Sequence, residues 1–124
     1  MSRTILVADD EPNIVISLEY LMKREGYTVL VARDGQEALD VIARDRPDLV
    51  LLDVMMPKKS GLEVCQAVRA NEELQATKIL MLTAKGRDTD LAKGLALGAD
   101  AYMTKPFSTR ELVQKVADML AAQP

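Results

Sequence analysis

The stretch Leu49-Val50-Leu51-Leu52-Asp53-Val54-Met55-Met56-Pro57 decides the fold. Its first four residues are apolar without alternation, the pattern of a strand covered on both faces in a parallel sheet, and the run stops at a carboxylate. Similar short runs stand at Ile5-Leu6-Val7, Thr28-Val29-Leu30-Val31, Ile79-Leu80-Met81-Leu82 and, more weakly, Ala101-Tyr102-Met103. Between them, apolar residues recur at helical spacing. Ile14, Leu18, Leu21 and Met22 form one stripe, Ala38, Leu39 and Ile42 a second, and Leu62, Cys65 and Val68 a third. Leu91, Ala92 and Leu95 form the fourth, and Leu112, Val113, Val116 and Leu120 the fifth. Gly26, Gly61 and Gly98 mark helix borders, Pro12 suits a first helical turn, and Ser108 with Glu111 reads as a capping box.

Strand and helix therefore alternate five times. The expected architecture is a single doubly wound α/β domain of (βα)5 type over residues 1–124, with a parallel sheet, helices on both faces and right-handed crossovers. The fourth helix is the weakest, because its stripe is thin and contains or adjoins Gly86 and Gly94, so mobility is expected there.

At 124 residues, 48% hydrophobic and 28% charged, the chain can bury a core without disulfides or metal staples. It contains no histidine. That excludes Ser-His-Asp and Cys-His catalysis, the usual zinc sites and any imidazole base. With 16 basic against 19 acidic side chains, a net charge of −3 and no basic stripe, direct nucleic-acid binding is disfavoured. The aromatic residues, Tyr20, Tyr27, Tyr102 and Phe107, offer no stacking platform. Cys65 is the sole cysteine and reads as a small core thiol. The apolar run before Asp9 is too short for a signal peptide and none is long enough to span a membrane, so a cytoplasmic location is expected.

Ligands of an open α/β sheet bind outside the carboxyl ends of its strands. Asp9, Asp10 and Glu11 follow the first run, Asp53 ends the third, Thr83 and Ala84 end the fourth, and the fifth leads into Thr104, Lys105 and Pro106. Each has an ordinary reading alone: an acidic helix start, a turn residue, a strand end, a solvated loop charge. Together they are harder to dismiss. Carboxylates from two strands repel unless a cation lies between them, and an oxygen-only donor set suits Mg²⁺ or Mn²⁺. Lys105 adds a point charge for an anionic group and Thr83 a hydroxyl donor. These are the parts needed to place a phosphoryl group on a carboxylate.

At this point a family resemblance enters. Asp9-Asp10-Glu11-Pro12, Asp53 with Val54-Met55-Met56-Pro57 and Gly61, Thr83-Ala84, Gly98-Ala99-Asp100-Ala101-Tyr102 and Lys105-Pro106-Phe107 resemble the receiver domain of bacterial two-component response regulators. The resemblance covers essentially the whole chain and implies strand order 2-1-3-4-5. It implies Asp53 as phosphoacceptor, Asp10 as a direct Mg²⁺ ligand, Asp9 acting through water, and the Met55 backbone carbonyl as a further ligand. Lys105 is implied as the partner of the phosphoryl oxygens, before a cis bond to Pro106. Thr83 is implied as the switch hydroxyl and Tyr102 as the aromatic that follows it. Met55 and Lys85 flank the family's route for hydrolytic water, so slow self-dephosphorylation is expected. Lys58 and Lys59 read as solvated charges. The implied donor is a sensor histidine kinase or histidine phosphotransfer protein, with acetyl phosphate able to substitute. The implied output surface, formed by the fourth helix, fifth strand and fifth helix, would serve a second copy or an effector.

Three rivals stand beside this reading. A phosphohydrolase of the Asp-x-Asp kind lacks its general acid here, since that position is Met55. A flavodoxin-like cofactor binder shares the topology, but the loop after the first strand is acidic where a phosphate needs hydroxyls and glycines. A degenerate receiver acting only as an interaction module is the last. The domain is thus expected to be a phosphoacceptor switch, not a turnover enzyme.

Overall fold

The computed structural model describes residues 3–84 and 88–121, the side chains of residues 88–91 excepted. Five strands run β1 (Thr4–Ala8), β2 (Thr28–Ala32), β3 (Leu49–Asp53), β4 (Lys78–Ala84) and β5 (Ala101–Lys105). The helices are α1 (Pro12–Arg24), α2 (Gly35–Asp45), α3 (Gly61–Ala70), α4 (Asp88–Ala96) and α5 (Thr109–Ala121), with a 3-10 turn at Glu72–Leu74. All strand pairings are parallel and the order is β2-β1-β3-β4-β5. The expected doubly wound (βα)5 fold and its strand order are therefore observed.

Side chains alternate across the sheet and split the core in two. Leu6, Val50, Leu52, Ile79 and Met81 face Ala38, Val41 and Ile42 of α2 and Val64, Cys65 and Val68 of α3. Ile5, Val7, Leu49, Leu51, Leu80 and Leu82 face Val15, Leu18 and Met22 of α1 and Leu112, Val116 and Leu120 of α5. Every residue of β3 is buried, which is why its sequence shows no alternation. The edge strands differ from expectation: β2 and β5 are only partly buried, because each has a neighbour on one side alone. Helix stripes are also rotated slightly. Val15 rather than Ile14 is fully buried in α1, and Val41 and Met119 join the core where Leu39 and Val113 are only half-buried.

Pro12 does open α1, and the Ser108 hydroxyl accepts the Glu111 N–H at 3.0 Å. Gly94 faces inward, where a Cβ would lie 3.5 Å from Met81, while Lys85 and Gly86 lie outside the described residues. Cys65 is buried, and burial raises its thiol pKa, consistent with a core role. Among the described residues no helix is long and apolar enough to cross a membrane.

Candidate functional site

The order β2-β1-β3-β4-β5 reverses direction between β1 and β3, and the carboxyl ends of these two strands form the crevice where such sheets bind ligands. Asp9 and Asp10 follow β1, and Asp53 is the last residue of β3. One carboxylate oxygen from each lies within 4.8 Å of the others. Asp9 is fully buried, Asp53 is 5% exposed and Asp10 is exposed. The proposed N-cap role of the acids is not realised: Glu11 occupies the cap of α1 without a side-chain cap bond, and Asp9 Oδ1 instead accepts the Glu11 N–H at 2.9 Å.

Lys105, the last residue of β5, crosses the crevice. Its Nζ lies 3.0 Å from Asp9 Oδ2, 3.4 Å from Asp53 Oδ1 and 3.9 Å from Glu11 Oε1. Burial works against the ammonium, but the hydrogen bond to Asp9 and the charges of Asp53, Asp9 and Glu11 outweigh it and raise the Lys105 pKa. Burial, then the Asp9 charge, pushes Asp53 up to about 6, while Lys105 and the Met55 N–H, 3.4 Å from Asp53 Oδ1, pull it back. Three carboxylates facing one ammonium leave uncompensated negative charge. An all-oxygen set with that imbalance fits a hard divalent cation and does not fit zinc or copper.

Thr83 lies near the end of β4, as expected, and is 2% exposed. Among the described residues its Oγ1 has no hydrogen-bond partner. A buried hydroxyl left unpaired costs about 1–3 kcal/mol, so it calls for an explanation. Tyr102 pairs in register with Met81, two residues before Thr83, and is 44% exposed on the edge strand. The Lys105–Pro106 bond is cis. Beside Lys105 a cleft of about 410 Å³ is lined by Glu11, Ile14, Ala84, Lys105, Pro106 and Phe107.

Neighbouring elements hold the loop after Asp53. Gly61 N–H donates to the Val54 carbonyl at 2.8 Å, and a Cβ on Gly61 would overlap the Asp53 carbonyl. Ser60 and Glu63 cap α3 reciprocally, a Ser-x-x-Glu signature present in the sequence but missed by sequence reasoning. Also missed was the clamp in which Arg69 donates to Gly98 O at 2.8 Å and to Asp100 Oδ2 at 2.6 Å, the latter oxygen also accepting Ile79 N–H. Lys58, read as solvated, is exposed but pairs with Asp34 at 3.6 Å.

A model of the response regulator receiver domain matches residues 5–117. A putative response regulator from Chloroflexus aurantiacus is 36% identical, with TM-score 0.93, over 98% of this chain and 99% of that one. The chemotaxis response regulator CheY4 of Vibrio cholerae is 32% identical with TM-score 0.89, covering 96% of this chain and 99% of its own. The signal receiver domain of a Syntrophus aciditrophicus signal transduction histidine kinase is 29% identical with TM-score 0.90, covering 97% and 91%. The chain belongs to the response regulator receiver domain family, the phosphorylation-regulated domains of two-component signalling.

Proposed function

We propose that residues 1–124 form one receiver domain that accepts a phosphoryl group on Asp53 from the phosphohistidine of a sensor kinase or phosphotransfer protein. The observation that carries this reading is the Asp53 carboxylate, buried beside Asp9 and Asp10 yet tied, among the described residues, only to Lys105 and the Met55 N–H. An Asp53 oxygen attacks phosphorus, the P–N bond breaks, the imidazole leaves with the electron pair, and an acyl phosphate remains. With a pKa of about 6, Asp53 is mostly ionised at neutral pH and able to attack. Mg²⁺ or Mn²⁺, held by Asp10, Asp53, the Met55 carbonyl and, through water, Asp9, would neutralise the phosphoryl oxygens. Lys105 changes partner from Asp9 to the phosphoryl group, and the unpaired Thr83 hydroxyl gains an acceptor. The half-exposed Tyr102 follows Thr83, so that α4, β5 and α5 present an altered surface to a second copy or an effector. The exposed Met55 side chain shields the anhydride from water and slows its hydrolysis. The cleft beside Lys105 gives the donor a way in from the cytoplasm.

Wild-type protein with Mg²⁺ and radiolabelled acetyl phosphate should form an acid-stable, base-labile phosphoprotein, and Asp53→Asn should not. Undiminished labelling of Asp53→Asn would sink the assignment.

A further inference from the structure

The loop Val54–Ser60 contains an unusual turn. Lys59 N–H donates to the Pro57 carbonyl at 2.8 Å, closing a three-residue turn around Lys58, whose φ is +67°. A γ-turn with positive φ at a lysine is a strained arrangement, and such turns persist only where surrounding contacts hold them. Here the contacts come from α2. Gly35 N–H donates to the same Pro57 carbonyl at 3.2 Å, and a Cβ on Gly35 would overlap the Lys59 carbonyl. Asp34, the residue before, accepts the Glu37 N–H to cap α2 and directs its other oxygen to Lys58 Nζ at 3.6 Å. The same loop supplies the Met55 N–H that meets Asp53 Oδ1.

The geometry points to Gly35, with Asp34, as a positioning element for the phosphoacceptor loop: the N-terminus of α2 holds the turn at Pro57–Lys59, and so sets the Met55 backbone against Asp53. The inference rests on the proposed reading of the Asp53 site, because the group being positioned is the Met55 carbonyl that the reading assigns to the metal. Among the described residues no hydrogen bond or ion pair joins α2 to Asp9, Asp10 or Asp53, so the effect is expected to reach them through the loop. Removing the contact should loosen metal binding more than it impairs phosphoryl transfer at saturating metal.

Gly35→Ala, Lys58→Gln and wild type would be titrated with Mg²⁺ alone, following the amide resonances of Met55 and Met56, with far-UV circular dichroism as the check on folding. Gly35→Ala should weaken Mg²⁺ at least fivefold, and its labelling rate from acetyl phosphate should recover at saturating Mg²⁺. Lys58→Gln, which removes only the ion pair, should weaken Mg²⁺ about twofold, and Asp34→Asn, which keeps an acceptor for the α2 cap, should match it. Wild-type affinity in a folded Gly35→Ala overturns the inference. If Gly35→Ala does not fold, wild-type affinity in both Lys58→Gln and Asp34→Asn does so. Should wild type itself show no Mg²⁺-dependent shift, the reading of the site fails instead.

Discussion

Asp53 shows how far a single residue can be read. Its place after four apolar residues marks it as a strand-end carboxylate, and the resemblance to the family motif is what proposes it as the phosphoacceptor. Its electrostatic condition depends on Asp9, Lys105 and burial, none of which is near in sequence. Because the folded pKa is raised to about 6, the native state holds a proton that the unfolded chain, titrating near 4, has already released. In metal-free buffer this contribution is fully present below pH 4 and is lost as pH rises towards and past 6, on the order of 3 kcal/mol. Asp53→Asn lacks the titration. Its stability relative to wild type should therefore grow across that window, as denaturant unfolding in EDTA would measure; parallel pH profiles would contradict the assignment of charge strain to Asp53.

Among the elements, what the sequence shows best is existence and order. All five strands and five helices are present in the expected order, because a strand covered on both faces leaves a contiguous run and an amphipathic helix a periodic one. The α4 stripe is misplaced, however: Ala92 and Leu95 are exposed and Gly94 is the residue that faces inward, while the side chain of Leu91 lies outside the description. Boundaries were less legible. β4 ends in Thr83 and Ala84 as its sequence indicates, but β5 extends through Lys105, since ladder pairing with β4 continues past its last apolar residue. Gly61 is a further case: its presence at a helix start was visible, but its reason is the Asp53 carbonyl against its Cα. Helix propensity alone predicts that Gly61→Ala gains about 1 kcal/mol. The overlap predicts the opposite sign, a loss of about 2 kcal/mol by chemical denaturation, in the range of overpacked cores. A stabilised variant would mean the loop yields freely.

For the whole molecule, the question is how a change at Asp53 reaches β5. Moving a two-state population from 1:99 to 99:1 requires about 5.5 kcal/mol of differential interaction. Charge-assisted hydrogen bonds of about 1.5–3 kcal/mol each, from Thr83 and Lys105, are of the right size. Thr83 is suited to the proposed switch because its buried hydroxyl lacks a partner among the described residues. Thr83→Val should leave stability equal or higher by about 1 kcal/mol, since it deletes an unpaired hydroxyl. It should keep labelling at Asp53 but lose the beryllofluoride-induced shift of Tyr102 resonances by NMR. A full Tyr102 shift in Thr83→Val would remove the hydroxyl from the switch.

The sequence by itself determined the fold class, the family and the residues at the strand ends, because those are written in windows of a few residues: apolar runs, helical stripes and short motifs. Tertiary structure alone decided that Lys105 bridges Asp9 and Asp53, that Thr83 lacks a partner among the described residues, that Arg69 clamps Asp100, and that α2 holds the turn at Lys58. These pairings join residues 22 to 96 positions apart, whose distances are set by sheet register and helix packing rather than by any local pattern.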